Sequence, residues 1–193
     1  MADKELIVFD FDYTLAKTYE LIWVWSPRGT RKYKNKKYIP VHPSILSKHK
    51  MGDDEKINND SFKEFYSLDI IKTKPITLTI NLLKYYLSNC HKYKVYIVSA
   101  RPQVVEKNVI SFLNLYDVNT TNLNYIGLTN SDPKAKIDCV ENIVNKDIYN
   151  SVSIYEDNKY IIDNINKKIK QTVRTFFIEL LGNEIRITYN ENS

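Results

Sequence analysis

The chain has 193 residues, of which 43% are hydrophobic and 26% are charged. These proportions suit one globular domain, and they exclude fibrous and wholly disordered proteins. The net charge of +5 is lower than dedicated DNA-binding domains usually carry, so composition alone does not predict that function.

Cysteine usage and the length of apolar runs bear on the compartment. The two cysteines, Cys90 and Cys139, belong to no CxxC pair, which argues against a structural zinc site and favours a reducing compartment. The first five residues include charges and form no apolar signal core, and no apolar run is long enough to cross a bilayer. We therefore expect a soluble, cytoplasmic protein with no membrane partner.

Short apolar runs alternate with helical patterns along most of the chain. Strands are predicted, in chain order, at residues 5–9, 94–98, 124–127, 151–155, 173–179 and 184–189. Helices are predicted after Pro75, Pro102 and Pro133 and through 162–169, where apolar residues recur at helical spacing. This alternation is typical of βαβ units. The sequence therefore predicts an α/β fold with a mostly parallel sheet.

Residues 16–74 break this alternation and differ in composition from the rest of the chain. They contain both tryptophans, Trp23 and Trp25, an acidic patch at 53–55 and a basic cluster at 28–37. The basic cluster consists of Arg28, Arg31, Lys32, Lys34, Lys36 and Lys37. We interpret residues 16–74 as a cap-like insertion within a single domain that spans residues 1–193.

The residues of this insertion allow two interpretations. Basic clusters are most often solvated surface, but Tyr33 and Tyr38 lie among these cations, and aromatic rings among cations are typical of nucleic-acid binding. Trp23 and Trp25 fit either the insertion's own core, which we favour, or a platform on which bases stack.

Polar residues follow three of the predicted strands at the point where each strand ends. Asp10 and Asp12 follow the first strand, Ser99 the second, and Glu156 and Asp157 the fourth. Ligands of open α/β sheets bind beyond the carboxyl ends of the strands, so these side chains are expected to share one site. Magnesium prefers oxygen ligands, and phosphoryl transfer requires mainly positioning and neutralisation of charge. The set therefore favours phosphoryl chemistry.

The order of these residues is similar to that in the haloacid dehalogenase superfamily. Four motifs carry the resemblance: Asp10-Phe11-Asp12-Tyr13-Thr14, Ser99-Ala100-Arg101, Pro133-Lys134-Ala135-Lys136 and Glu156-Asp157. It covers residues 5–170 apart from the insertion, and it implies a three-layer, Rossmann-like core with a cap after the first strand. Tyr13 departs from the pattern, because many members of the superfamily have a small residue there.

The resemblance implies a hydrolase, a magnesium-dependent phosphatase that works through an aspartyl-phosphate. Asp10 is expected to attack phosphorus, and Asp12 to protonate the leaving group and then activate water. Ser99 is expected to hydrogen-bond the phosphoryl oxygens, and Lys134 to neutralise the nucleophile and the phosphate. We favour Lys134 over Lys136 because its place before Ile137, the first inward residue of the predicted helix, is similar to the pattern of the superfamily's third motif.

The same resemblance implies a metal site and a set of substrate contacts. Mg²⁺ is expected between the Asp10 carboxylate, the Asp12 backbone carbonyl and the Asp157 carboxylate, with Glu156 beside them. Three residues are expected to bind substrate: Thr14, Arg101 and Lys136. For Arg101, an ion pair with a surface carboxylate is an equal alternative.

The substrate itself stays open at the level of the sequence. The Glu156-Asp157 pair is similar to a branch of the superfamily associated with RNA repair, which includes polynucleotide 3′-phosphatases. We therefore expect a nucleotide or the terminal phosphate of a nucleic acid as the substrate. The alternatives are a phosphatase of small metabolites such as sugar phosphates, and a catalytically inactive relative that uses the fold for binding.

Overall fold

A computed structural model describes residues 4–33, 35–41, 51–129, 132–169, 172–181 and 184–192. Its strands are β1 (Glu5–Phe9), β2 (Ala16–Lys17), β3 (Ile22–Trp25), β4 (Arg31–Tyr33), β5 (Lys36–Val41), β6 (Lys56–Ile57), β7 (Lys74–Pro75), β8 (Tyr93–Ser99), β9 (Leu123–Gly127), β10 (Val152–Glu156), β11 (Val173–Leu181) and β12 (Glu184–Asn192). Its α-helices are α1 (Thr77–Ser88), α2 (Glu106–Asn114), α3 (Pro133–Lys146) and α4 (Lys159–Lys168), and 3₁₀ helices span Asn59–Tyr66 and Gln103–Val105.

The central sheet has six strands in the order β12-β11-β10-β1-β8-β9. All neighbouring strands run parallel except β11 and β12, which are antiparallel. The chain moves from β1 outward through β8 and β9, and then crosses to β10 on the other side of β1. The predicted α/β fold with a mostly parallel sheet is confirmed.

Both faces of the central sheet are covered by apolar side chains, which explains why β1 is a continuous apolar run. Ile7 and Phe9 belong to one buried cluster, together with side chains of α1 and α2. Leu6 and Val8 belong to a second buried cluster, together with side chains of α3 and α4. Because successive residues of a strand point to opposite faces, one five-residue strand contributes to both clusters.

The helix starts follow ordinary capping chemistry. The Asp132 carboxylate accepts a hydrogen bond from the Lys134 backbone N–H, and Pro133 occupies the first turn of α3, as predicted. The Asn158 side chain likewise caps α4 by accepting from the Tyr160 N–H. The helix predicted after Pro102 begins only at Glu106, because a short 3₁₀ turn intervenes.

The chain leaves the core after β1 and returns before α1 through a two-stranded neck. Strands β2 and β7 pair antiparallel, with Ala16 opposite Pro75 and Lys17 opposite Lys74. Between them lies a separate antiparallel sheet of four strands in the order β4-β5-β3-β6, together with the 3₁₀ helix Asn59–Tyr66. That this segment acts as a cap stays a prediction.

The sheet of the insertion buries its aliphatic residues and not its tryptophans. Ile22 and Val24 are buried, whereas Trp23 and Trp25 alternate with them and are half-buried. Val41, opposite Ile22 on β5, is also buried. The expectation that the tryptophans form the insertion's own core is therefore wrong, because the register of β3 turns them to the other face of the sheet.

Within the described part of the chain, no helix is both long enough and apolar enough to cross a membrane.

Candidate active site

Three strand ends that are remote in sequence meet at one edge of the central sheet. Strands β10, β1 and β8 are neighbours and run parallel, so Asp10, Ser99 and Glu156 emerge at the same edge. The Asp10 backbone N–H donates to the Tyr155 carbonyl at 2.9 Å, which ties the end of β1 to the end of β10. The strand order reverses at β1, and such reversal points are where open α/β sheets bind ligands.

Three carboxylates gather at this edge, those of Asp10, Glu156 and Asp157. One oxygen from each lies within 4.8 Å of the others, a spacing that could hold a metal ion. Asp10 is 7% exposed and Glu156 is 2% exposed, so the group is largely shielded from water. Carboxylate oxygens are ligands that Mg²⁺ and similar hard cations prefer.

The carboxylates disturb one another's ionisation. Burial raises the pKa of Asp10 to about 7; Lys136 opposes that shift, while Glu156 and Asp12 add to it. Burial, followed by the charges of Glu156 and Asp10, raises the pKa of Asp157 well above its usual range. Clustered charges in a desolvated site are unfavourable unless a cation compensates them. A divalent cation between the carboxylates would relieve this repulsion.

Lys136 supplies a positive charge at the centre of the group. Its ammonium lies 2.7 Å from an Asp10 oxygen and 3.0 Å from a Glu156 oxygen. Burial alone would lower the pKa of Lys136, but Asp10 and Glu156 outweigh burial and raise the pKa above its ordinary value. Glu156 is held further by the Asn158 N–H, which donates to its other oxygen at 3.0 Å.

The structure corrects the choice between the two lysines of α3. Lys134 is exposed, whereas Lys136 is buried against Asp10. Two residues along a helix turn the side chain by about 200°, so only one of the pair can point into the site. The sequence did contain a signal, because Lys136 lies four residues before the buried Val140 and seven before the buried Ile143, on the same helix face.

The Asp12 carboxylate accepts hydrogen bonds from a buried arginine, Arg101. The Arg101 Nε lies 2.9 Å from one Asp12 oxygen, and its Nη2 lies 2.8 Å from the other. The Thr18 hydroxyl donates to Asp12 at 2.7 Å. Arg101 also contacts two groups of the insertion, the Glu20 carboxylate at 3.0 Å and the Ser67 carbonyl at 2.8 Å. It thus links Asp12 to the insertion.

Of the two alternatives for Arg101, the structure shows ion pairs with carboxylates, and it does not position Arg101 to contact a substrate. Its side chain has no exposed surface, and its guanidinium is already occupied by Asp12, Glu20 and Ser67. The carboxylates that it binds are themselves largely shielded, at 20% and 11% side-chain exposure. Because Glu20 and Ser67 come from the insertion, no spacing within the Ser99-Ala100-Arg101 motif could have identified them.

Ser99 and Thr14 are both fully buried. The Ser99 hydroxyl accepts from the Arg101 backbone N–H at 3.2 Å, so it stabilises the turn after β8. The Thr14 hydroxyl has no hydrogen-bond partner among the described residues, and its carbonyl accepts from the Thr79 hydroxyl. The enclosed Thr14 side chain does not match the predicted substrate contact.

Tyr13 directly follows Asp12 within the first motif, in a strained backbone conformation. Its φ of 60° is in the left-handed region, where a small residue such as glycine is most easily accommodated. The Tyr13 hydroxyl donates to the Thr18 carbonyl, and burial raises the pKa of the phenol above its ordinary value. These contacts hold a large side chain where the resemblance suggests a small one.

No protein-family model matches the sequence, and no curated protein matches it. Among solved structures, the crystal structure of the Legionella pneumophila effector Ceg4 with an N-terminal TEV protease cleavage sequence is similar to this chain. Sequence identity is 14%, the similarity covers 94% of this chain and 89% of that chain, and the TM-score is 0.48. A similarity of this size does not indicate a shared function.

Proposed function

We propose that the protein is a magnesium-dependent phosphomonoesterase whose nucleophile is Asp10. The observation that carries the proposal is the position of the Asp10 carboxylate. It lies 2.7 Å from the Lys136 ammonium and within 4.8 Å of carboxylate oxygens of Glu156 and Asp157, at the carboxyl edge of a parallel sheet. A nucleophile, a fixed cation and metal-ligating oxygens are the groups that phosphoryl transfer requires.

The donor set fits magnesium. All three candidate ligands offer carboxylate oxygen, with no sulfur or imidazole among them. Burial raises the pKa of Asp10 and of Asp157, and a dication would favour the ionised form of both. When bound, Mg²⁺ would supply positive charge to neutralise the phosphoryl oxygens. Asp10 and Asp157 would hold the ion, and Glu156 would orient Lys136 and complete the acidic site.

The reaction uses the carboxylate of Asp10 and the position of Asp12. An Asp10 oxygen forms a bond to phosphorus while the bond from phosphorus to the ester oxygen breaks, which leaves an aspartyl-phosphate. A protonated Asp12 gives its proton to the departing oxygen, and the resulting carboxylate takes a proton from the water that attacks phosphorus as the bond from phosphorus to Asp10 breaks. Lys136 favours the ionised form of Asp10 and attracts the phosphate, while Arg101 fixes the orientation of Asp12 through its two hydrogen bonds.

We propose a terminal phosphate of a nucleic acid as the substrate. The insertion borders the site, because its Glu20 and Ser67 bind the arginine that holds Asp12. It also carries exposed cations on β4 and β5, which suit a polyanion. A small sugar phosphate would use the same core chemistry without needing those cations.

The test is a turnover screen in the presence of Mg²⁺ or of a chelator. The substrates are an aryl phosphate, sugar phosphates, mononucleotides and 3′-phosphorylated and 5′-phosphorylated oligonucleotides. We expect magnesium-dependent release of phosphate, highest for a phosphorylated oligonucleotide. Release from sugar phosphates with far higher efficiency would contradict the substrate proposal. No turnover of any substrate would contradict the enzyme and favour a binding protein.

A further inference from the structure

One face of the insertion's sheet carries a group of aromatic side chains. Trp25 lies directly opposite Tyr38 across β3 and β5, and directly paired residues of antiparallel strands share a face. Trp23, two residues before Trp25, is on that face as well. We call these three residues the aromatic face. The opposite face carries Ile22 and Val24, and both of these side chains are buried.

The three rings of the aromatic face form one continuous group. The Trp23 and Tyr38 rings stack with centroids 5.1 Å apart and planes at 26°. The Trp25 and Tyr38 rings meet edge to face, with centroids 6.2 Å apart and planes at 88°. All three side chains are half-buried, so part of each remains accessible to solvent. Adjoining rings of this kind are surfaces on which nucleobases stack.

Exposed cations surround these rings. Arg31 pairs with Tyr38 across β4 and β5, and Lys56 pairs with Trp25 across β6 and β3, so both belong to the aromatic face. The Lys36 ammonium lies 5.8 Å from the centre of the Trp25 ring. All three cations are exposed. The face therefore offers positive charge and aromatic surface side by side.

The remaining cations of the basic cluster are arranged differently. Lys32 and Lys37 pair with each other and, being adjacent in sequence to Arg31 and Lys36, point to the opposite face. Arg28 lies 3.0 Å from the buried Glu55 and forms an ion pair with it. Lys34 lies outside the described residues. The sequence cluster thus separates into an aromatic-face pair, Arg31 and Lys36, and an opposite-face pair, Lys32 and Lys37.

We propose that the aromatic face binds single-stranded nucleic acid, with bases stacked on Trp23, Trp25 and Tyr38 and phosphates held by the neighbouring cations. A duplex hides the faces of its bases, so this arrangement suits an unpaired strand. The inference rests on the proposed function only in that the end of the bound strand would supply the phosphate that Asp10 attacks. Binding itself requires no catalysis.

The experiment is a titration of the full chain with an unphosphorylated oligothymidylate of about 12 nucleotides, within the site sizes of single-strand-binding proteins. The chain has two tryptophans and both belong to the aromatic face, so intrinsic fluorescence reports contact there directly. We expect saturable quenching, with an affinity that falls as salt rises. The absence of saturable quenching at low salt would overturn the proposal.

Two double variants provide the sharpest comparison. Arg31→Ala with Lys36→Ala and Lys32→Ala with Lys37→Ala each remove two positive charges from the same hairpin. The first should weaken binding about 10-fold and reduce the salt slope by roughly 1.4, the value for two phosphate contacts to a single strand. The second should change affinity about 2-fold or less. Equal losses would mean that the strand is attracted by overall charge and would overturn the proposal.

A third variant tests stacking separately from charge. Tyr38→Leu should weaken binding about 10- to 100-fold without changing the salt slope, whereas Tyr189→Leu, at the outer edge of the central sheet, should have no effect. Should Tyr38→Leu fail to fold, the charge variants still decide the question. Vesicles of phosphatidylserine that quench the tryptophans while the oligonucleotide does not would also overturn the proposal.

The outcome is separable from that of the proposed function. An oligonucleotide that binds to the aromatic face while no phosphate ester is hydrolysed would support this inference and remove the phosphatase. Hydrolysis of phosphate esters without binding of the oligonucleotide would support the phosphatase and remove this inference.

Discussion

The candidate active site at the edge of the central sheet, which we call the core site, and the insertion hold their charges in different ways. At the core site, buried Lys136 lies 2.7 Å from Asp10 and 3.0 Å from Glu156. In the insertion, Arg31 and Lys36 are exposed on a hairpin. Buried charges interact strongly at short range, whereas exposed charges are screened by salt over about 8 Å under physiological conditions. Changes in the core should therefore alter kcat and stability, and changes in the insertion should alter KM and its salt dependence.

The largest expected effect is that of Asp10→Asn. An amide cannot attack phosphorus and ligates Mg²⁺ poorly, so kcat for an aryl phosphate should fall by about 10⁴-fold or more. Asp163→Asn, which changes an exposed carboxylate on α4, is the matched control and should be neutral. The Asp10→Asn protein should still bind the oligonucleotide. Substantial turnover by Asp10→Asn would exclude Asp10 as the nucleophile.

Asp12→Asn should reduce kcat by about 10²- to 10⁴-fold, the usual range for acid–base catalysis. The loss should be smaller for aryl phosphates than for alkyl phosphates, because a good leaving group needs less protonation. The measurement is a comparison of kcat across leaving groups in the wild type and the variant. Equal losses for both classes of substrate would argue that Asp12 is not the general acid.

Arg101→Lys sharpens this prediction, because Arg101 acts through Asp12. Lysine keeps the charge but cannot make the two parallel contacts with the carboxylate, so kcat should fall by about 10- to 100-fold. In the Asp12→Asn background the same change should cost little further activity. Additive losses in the double variant would mean that Arg101 serves only the packing between the core and the insertion.

The two lysines of α3 provide a matched pair. Lys136→Ala removes the cation beside Asp10 and should lower kcat by about 10²- to 10³-fold, the range for loss of one group that stabilises transition-state charge. It should also lower the free energy of unfolding by about 3–5 kcal/mol, because Asp10 and Glu156 lose a buried partner. Lys134→Ala, on the exposed side of the same helix, should be close to neutral in both assays. The opposite result would restore the assignment made from the sequence.

A smaller effect is expected from the insertion. Arg31→Ala with Lys36→Ala should raise KM for a phosphorylated oligonucleotide about 10-fold at physiological salt and leave the aryl phosphate almost unchanged. The difference in KM between the variant and the wild type should shrink at high salt, because the release of counterions then contributes less to binding. If both substrates lose efficiency equally, the hairpin supports the fold of the active site and does not recruit the strand.

The remaining prediction concerns the slope of stability against pH. Burial raises the pKa of Asp10 from 3.8 to about 7. Between these values the folded protein keeps a proton that the unfolded chain releases, so the free energy of unfolding falls as pH rises from about 4 to about 7, by at most about 1.4 kcal/mol per pH unit. Urea unfolding of the wild type and Asp10→Asn, both with chelator, isolates this contribution as a difference. Mg²⁺ should reduce the slope of the free energy of unfolding against pH. A difference between the two proteins that does not change with pH would contradict a raised pKa of Asp10.

The sequence by itself determined where the core site lies. Each of the strands β1, β8 and β10 is an apolar run that ends at a polar residue, and parallel strands bring their carboxyl ends to one edge. Asp10, Ser99 and Glu156 could therefore be assigned to a common edge without knowledge of any contact. The helix start at Pro133 was equally local, since Asp132 caps the helix through its own neighbours.

Only the tertiary structure decided what each side chain at that edge contacts. Helical spacing indicated the face on which Lys136 lies, but the packing of α3 placed Lys136 against Asp10. The return of the insertion brought Glu20 and Ser67 to Arg101. The register of β3 likewise decided which face Trp23 and Trp25 occupy. The physical reason is the same in the three cases. A strand end is a property of a few consecutive residues, whereas a side chain's partners depend on how distant elements pack, and a shift of one or two residues reverses the outcome.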